Sequence, residues 1–143
     1  MADLCTLFCR NLDYRQVCND ARRLNLEFDL SGDEDCWTSM TIANPDGSTL
    51  KLSVVNDTGP GGRLSHVILG MLNFVRRAQN VDPTVIAAIA STTFVIGVVA
   101  EPSLSGQPGF LKLICAIAQS LAGVTFVNGT SVLDAGGRTI LQV

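Results

Sequence analysis

From Pro83 to Ala100 the chain runs for 18 residues without a charge. A stretch of about 18–20 apolar residues is also the length at which a transmembrane helix becomes possible. The run therefore decides between a chain that enters a bilayer and one that buries a core. Three features favour the core. Asp82-Pro83 reads as a helix N-cap followed by proline at the first helical position. Ser91-Thr92-Thr93 interrupts the run with a polar triplet suited to a turn. Phe94-Val95-Ile96-Gly97-Val98-Val99 is rich in β-branched and aromatic residues and reads as a strand. No Trp or Tyr stands near either end to form an interfacial belt. The expectation is a short helix leading into a buried strand, with no membrane association.

The run belongs to a wider asymmetry. Residues 1–82 hold 11 acids and 8 bases, whereas 83–143 hold only Glu101, Lys112, Asp134 and Arg138. The full 143 residues fit one domain of two unequal parts, a charged outer half at 1–82 and an apolar core half at 83–143. An apolar content of 47% with a net charge of −3 excludes disorder. The absence of a basic excess argues against nucleic acid as a partner. Met1-Ala2-Asp3-Leu4-Cys5 shows no signal-peptide pattern. The five cysteines, at 5, 9, 18, 36 and 115, match no zinc or CxxC spacing. A cytoplasmic location with cysteine used as a small core residue follows as an expectation.

Local signals divide the chain further. Leu4–Cys9 reads as a first strand, with Cys5 and Cys9 on one face. Asn11 or Asp13 caps a helix whose Tyr14, Val17, Cys18, Ala21 and Leu24 recur at helical spacing, leaving Arg15, Arg22 and Arg23 on a solvated side. Residues 29–35 read as an acidic loop. Trp37–Ala43 and Ser48–Val55 are β-prone runs joined by Asn44-Pro45-Asp46-Gly47, the signature of a hairpin. Alternation places Trp37 with Ser39 and Thr41, opposite Met40 and Ile42, and Leu50, Leu52 and Val54 opposite Lys51 and Ser53. After the glycine-rich loop 56–62, Leu64, Val67, Ile68, Met71, Leu72, Val75 and Ala78 define an amphipathic helix. A helix at 83–90, a strand at 93–100 and a helix at 110–121 follow. Gly123 suits a left-handed cap after the last of these. Val124–Val127 and a final hairpin around 134–137 complete the chain.

The order begins β-α-β-β-α-β, which resembles ferredoxin-like folds in its element order. The predicted class is α+β, with one mixed sheet and a C-terminal α-β-β-β extension. The non-alternating strand at 94–99 is expected at its centre.

Three constellations carry candidate chemistry. Gly59, Gly61, Gly62 and Arg63 precede a helix, where close backbone approach and free N–H groups suit an anion, although neither GxGxxG nor the P-loop is present. Glu101 ends the buried strand before a Pro/Gly/Ser loop, a common ligand position in α/β sheets. With His66, the sole histidine, it is the candidate catalytic group. Asp33, Glu34 and Asp35 beside Trp37 form a candidate partner-binding surface for a protein. No metal set and no cofactor motif is expected. A solvated acidic loop, a flexible glycine linker and a strand terminus are the plainer explanations of these features.

Two functions follow. The favoured one is a small interaction or regulatory module that binds a protein partner, or itself as a homodimer, through the acidic loop or an exposed sheet face. The alternative is a small-ligand-binding protein or hydrolytic enzyme with its site between loops 57–66 and 101–109, which requires Arg63, His66 and Glu101 to converge.

Overall fold

The computed structural model describes residues 3–10, 13–55, 62–77, 83–104, 106–121, 123–127, 131–133 and 139–142, the last two segments by backbone pairing alone. The elements are β1 (Asp3–Cys9), α1 (Tyr14–Arg23), β2 (Phe28–Asp33), β3 (Cys36–Ala43), β4 (Thr49–Val55), α2 (Arg63–Arg76), α3 (Pro83–Ala90), β5 (Phe94–Glu101), α4 (Pro108–Ser120), β6 (Val124–Val127), β7 (Ser131–Leu133) and β8 (Thr139–Gln142). They build an α+β domain around one sheet in the order β2-β3-β4-β5-β1-β6-β7-β8.

Each of the seven strand pairings is antiparallel, so the sheet is not mixed. The expected β-α-β-β-α-β order also changes, because an additional strand, β2, occupies most of the segment read as an acidic loop. Its acids hid a period-two pattern: Phe28 and Leu30 pack against the core while Asp29 and Ser31 are exposed. The chargeless run divides as expected into α3 and β5, and β5 lies in the middle of the sheet between β4 and β1. Among the described residues no helix is long and apolar enough to cross a membrane.

One face of the sheet carries α1 and α4. Its core includes Leu7, Trp37, Met40, Leu50 and Leu52 from the first 82 residues and Phe94, Ile96, Phe110, Leu113 and Ile117 from the rest. The other face carries α2 and α3 over Phe8 and Val95, with Leu64, Met71, Leu72, Val75, Val85 and Ile89 buried between them. Both halves of the chain thus contribute to the interior.

Trp37 departs from the simple alternation. Ser31 pairs with Ser39 and Gly32 with Trp37, so Thr38 is an extra residue in β3. This bulge turns Trp37 to the same face as Met40 and Ile42. Gly32, at φ 118, occupies the opposite side, where a Cβ would come 2.6 Å from the Cys36 carbonyl oxygen.

Local chemistry fixes the termini of the elements. Asp13 accepts a hydrogen bond from the Gln16 N–H at 3.0 Å and caps α1. Asn25, at φ 58, ends it, with Leu26 N–H donating to the Ala21 carbonyl and Asn25 N–H to that of Arg22. The β3–β4 turn closes through Gly47 N–H to the Asn44 carbonyl at 3.0 Å, with Gly47 at φ 89. Gly123 is not a left-handed cap: its value is closeness, since a Cβ would lie 2.8 Å from Cys9 Sγ and 3.0 Å from the Phe8 carbonyl oxygen.

Two polar clamps join distant segments. Asp20, 1% exposed, accepts from Gln16 Nε2 at 3.0 Å, Arg23 at 2.8 Å and Ser120 Oγ at 3.0 Å, tying α1 to α4. Gln107, just before α4, accepts from Asn44 Nδ2 at 3.0 Å and donates to Asp46 at 3.1 Å. Asp46 also accepts from the backbone and hydroxyl of Ser48, and these donors lower its pKa to about 2.

Candidate functional site

The helices on the second face cover only part of the sheet. Successive registers across the strands show where the cover stops. Val55, Val95, Phe8 and Val124 form one row, and they pack into the cluster beneath α2 and α3. The next row on that face runs Ser31, Ser39, Ser53, Gly97, Thr6 and Phe126. Beyond it come Asp29, Thr41, Lys51, Val99 and Leu4, then Ala43, Thr49 and Glu101. In these outer rows Asp29, Thr41, Ala43, Lys51 and Glu101 are exposed, Val99 is half-buried, and Leu4 is 57% exposed. Among the described residues the result is a step: a helical layer over one end of the face, and bare strands beside it.

A groove runs along the foot of that step. It encloses about 320 Å³ and is lined by Thr6, Phe8, His66, Val67, Gly70, Met71, Phe74 and Phe126. Two of the lining residues, Phe74 and Phe126, are in ring contact with centroids 4.9 Å apart. Gly70 sits within α2, and a Cβ there would meet nothing within 4 Å. His66, Gly70 and Phe74 recur every four residues and so share one side of the helix.

The sequence-predicted catalytic pair is split by this arrangement. His66 lines the groove, but Arg63 and Glu101 do not. Thr6, in the groove, pairs with Gly97, and Glu101 lies four residues further along β5, about 13 Å away at the rise of a strand. Glu101 is exposed, pairs with Thr49 in register and precedes the cis Pro102. Gly62 is the N-cap of α2 in an extended conformation and Arg63 its exposed first residue. Gly59 and Gly61 lie outside the described residues.

The acidic turn has found its counter-ions within the chain. Arg15 donates to Asp35 at 2.8 Å and to Glu34 at 3.3 Å, and Arg22 also pairs with Glu34. The guanidinium beside Asp35 lowers that carboxyl's pKa, and Asp35 in turn raises the pKa of Arg15. The arginines of α1, expected as a solvated face, thus reach across to the β2–β3 turn, while Arg22 also lies 5.4 Å from the centroid of Phe28. Asp33 remains exposed. Trp37 is 1% exposed, donates from Nε1 to the Tyr14 carbonyl at 3.2 Å and meets the Tyr14 ring edge-on at 5.6 Å.

The described residues hold no cluster of three or more His, Cys, Asp or Glu placed to bind a metal. All five cysteines are free thiols. Burial pushes Cys5 up to about 11, with help from Asp3, and Cys9 up to about 12, so both stay protonated and unreactive near neutral pH.

Sequence reasoning missed the step. The strand alternation showed one polar face for the hairpin, but the position at which α2 and α3 stop depends on how the sheet is ordered. Comparison with protein-family models, curated proteins and solved structures finds no match.

Proposed function

We propose that this chain is a small protein-interaction module that binds another protein, or a second copy of itself, with the open half of its sheet. The observation that carries this reading is the apolar pair Leu4 and Val99 beyond the helical layer, the first exposed and the second half-buried. They stand in register on adjacent central strands, Leu4 is 57% exposed, and Lys51 continues the same row. An apolar pair at the centre of an otherwise polar stretch of sheet fits the apolar core of a recognition surface. The charges around them, Asp29, Lys51 and Glu101, form the polar rim usual for a recognition surface.

The acidic turn is the weaker of the two expected binding surfaces, because Arg15 and Arg22 neutralise Glu34 and Asp35 and Trp37 is buried. Five free thiols suit a reducing compartment such as the cytoplasm. The alternative of a ligand-binding or hydrolytic site needs Arg63, His66 and Glu101 together, and the separation of Glu101 from the groove weighs against it.

Site-specific photocrosslinking tests the reading. A benzophenone amino acid at position 4, in the cell of origin at native abundance, should give one discrete protein adduct, whereas the same group at position 112 on the opposite face should give none. The absence of an adduct at position 4 would overturn the proposal. An adduct of doubled mass identifies a second copy, and any other mass a different protein.

A further inference from the structure

We propose that the occupant of the open half is a second copy of this chain, whose α2 lies across the bare strands while its own open half receives α2 in return. This inference rests on the open-half reading and adds the partner and the docking element. Three independent features of α2 support it.

The first is shape. A face with a helical layer over one end and bare strands over the other is complementary to itself under a two-fold rotation. Each layer then occupies the other's step, as an isologous interface requires.

The second is charge. Arg63 and Arg76 lie on α2 and Arg77 caps it, with no acid in the helix. None of the three has an ion-pair partner among the described residues. On the open half Asp29, Glu101 and Lys51 likewise lack one, so the two acids outnumber the single lysine there. The basic helix of one copy laid on the open strands of the other brings cations to these carboxylates, a complementarity that steers association and fixes its register.

The third is the apolar surface. The described residues expose three large apolar side chains: Leu4 at 57%, Leu69 at 57% and Leu111 at 45%. Leu4 is on the open strands and Leu69 on α2, so the proposed contact covers both, leaving only Leu111 of α4 on the far face. Beside Leu69 stands Gly70, with empty space where a Cβ would be. A glycine inside a helix costs about 1 kcal/mol relative to alanine, and nothing among the described residues requires this one. It gives another backbone room to approach at the foot of the step.

Sedimentation velocity on the full chain from 1 to 200 µM tests the proposal. The wild type should shift from monomer to dimer. Leu4→Lys and Leu69→Lys should each weaken the dimer at least tenfold. Gly70→Leu should do the same by filling the foot of the step, without lowering the melting temperature of the monomer, read at a concentration where association is negligible. Leu111→Lys should leave the dimer unchanged. Raising NaCl from 0.05 to 0.5 M should weaken it severalfold. A wild type that stays monomeric at 200 µM overturns the second-copy proposal but not the open-half reading, which the crosslink at position 4 decides. A dimer broken by Leu4→Lys but not by Leu69→Lys or Gly70→Leu keeps the open half as interface and overturns the role of α2. A dimer broken only by Leu111→Lys overturns both.

Discussion

The face of the sheet under α1 and α4 and the face under α2 and α3 are built from the same strands, yet they end differently. Beneath α1 and α4 the cover extends from Trp37 and Met40 on β3, through Leu50 and Leu52 on β4 and Ile96 and Val98 on β5, to Leu7 on β1, and each of these is at most 2% exposed. On the reverse face, among the described residues, only Phe8 and Val95, with Val55, Val124 and Phe126 beside them, lie under helices. Val99 and Leu4, four residues further along the same two strands, do not. The contrast separates two uses of an apolar residue. On the first face apolar content matches what the chain itself covers. On the second it exceeds it, and the excess is the candidate binding surface.

Substitutions on the two faces should therefore differ in kind, and the comparison breaks if they do not. The largest effect is expected at Trp37. Trp37→Ala should lose about 3–5 kcal/mol in chemical denaturation, because the ring is buried, stacks edge-on to Tyr14 and hydrogen-bonds its carbonyl. A loss below about 1 kcal/mol would mean the covered face is not the main source of stability. Asp20→Ala, which breaks the clamp between α1 and α4 at Gln16, Arg23 and Ser120, should cost about 2–3 kcal/mol in the same measurement.

The second face should respond weakly or in the opposite direction. Gly70→Ala should raise stability by up to about 1 kcal/mol through helix propensity alone, since a Cβ meets no neighbour. A fall in the melting temperature would show that the groove is a packed interior. Leu4→Lys should change monomer stability by no more than about 0.5 kcal/mol, read at a concentration where association is negligible. A larger loss would place Leu4 in the core and remove the contrast. The smallest effect is confined to acid. Asp46 has a folded pKa of about 2 against an ordinary 3.8. The stability it contributes is therefore fully present above pH 3.8 and lost as pH falls towards 2. Between pH 5 and 2 the denaturation midpoint of Asp46→Asn should fall less steeply than that of the wild type.

Much of the architecture is legible in the sequence where the cause is local. Asn44-Pro45-Asp46-Gly47 predicts its hairpin because proline and glycine set the backbone angles themselves. Asp13 caps α1 from three residues away. The division of 83–100 into helix and strand follows from Pro83 and the threonines. What escapes the sequence depends on distant segments. The bulge at Thr38 inverts Trp37 only because Gly32 lies opposite. The acids of the β2–β3 turn read as solvated until α1 brings Arg15 and Arg22 against them. Asp20 shows its local partners, Gln16 and Arg23, but Ser120 is 100 residues away. The candidate surface is the hardest case, since Leu4 and Val99 look like core residues in any local window. They become a surface only because β1 pairs with β5 and the helices stop two rows short.

The most direct test of that claim is hydroxyl-radical footprinting of the wild-type protein as concentration rises from 1 to 200 µM. Leu4 and Leu69 should be reactive at the low end and become protected together, while Leu111 keeps its reactivity throughout. If Leu4 stays reactive at 200 µM, or is protected already at 1 µM in a monomer, the half-covered sheet is not an interface between copies of this chain.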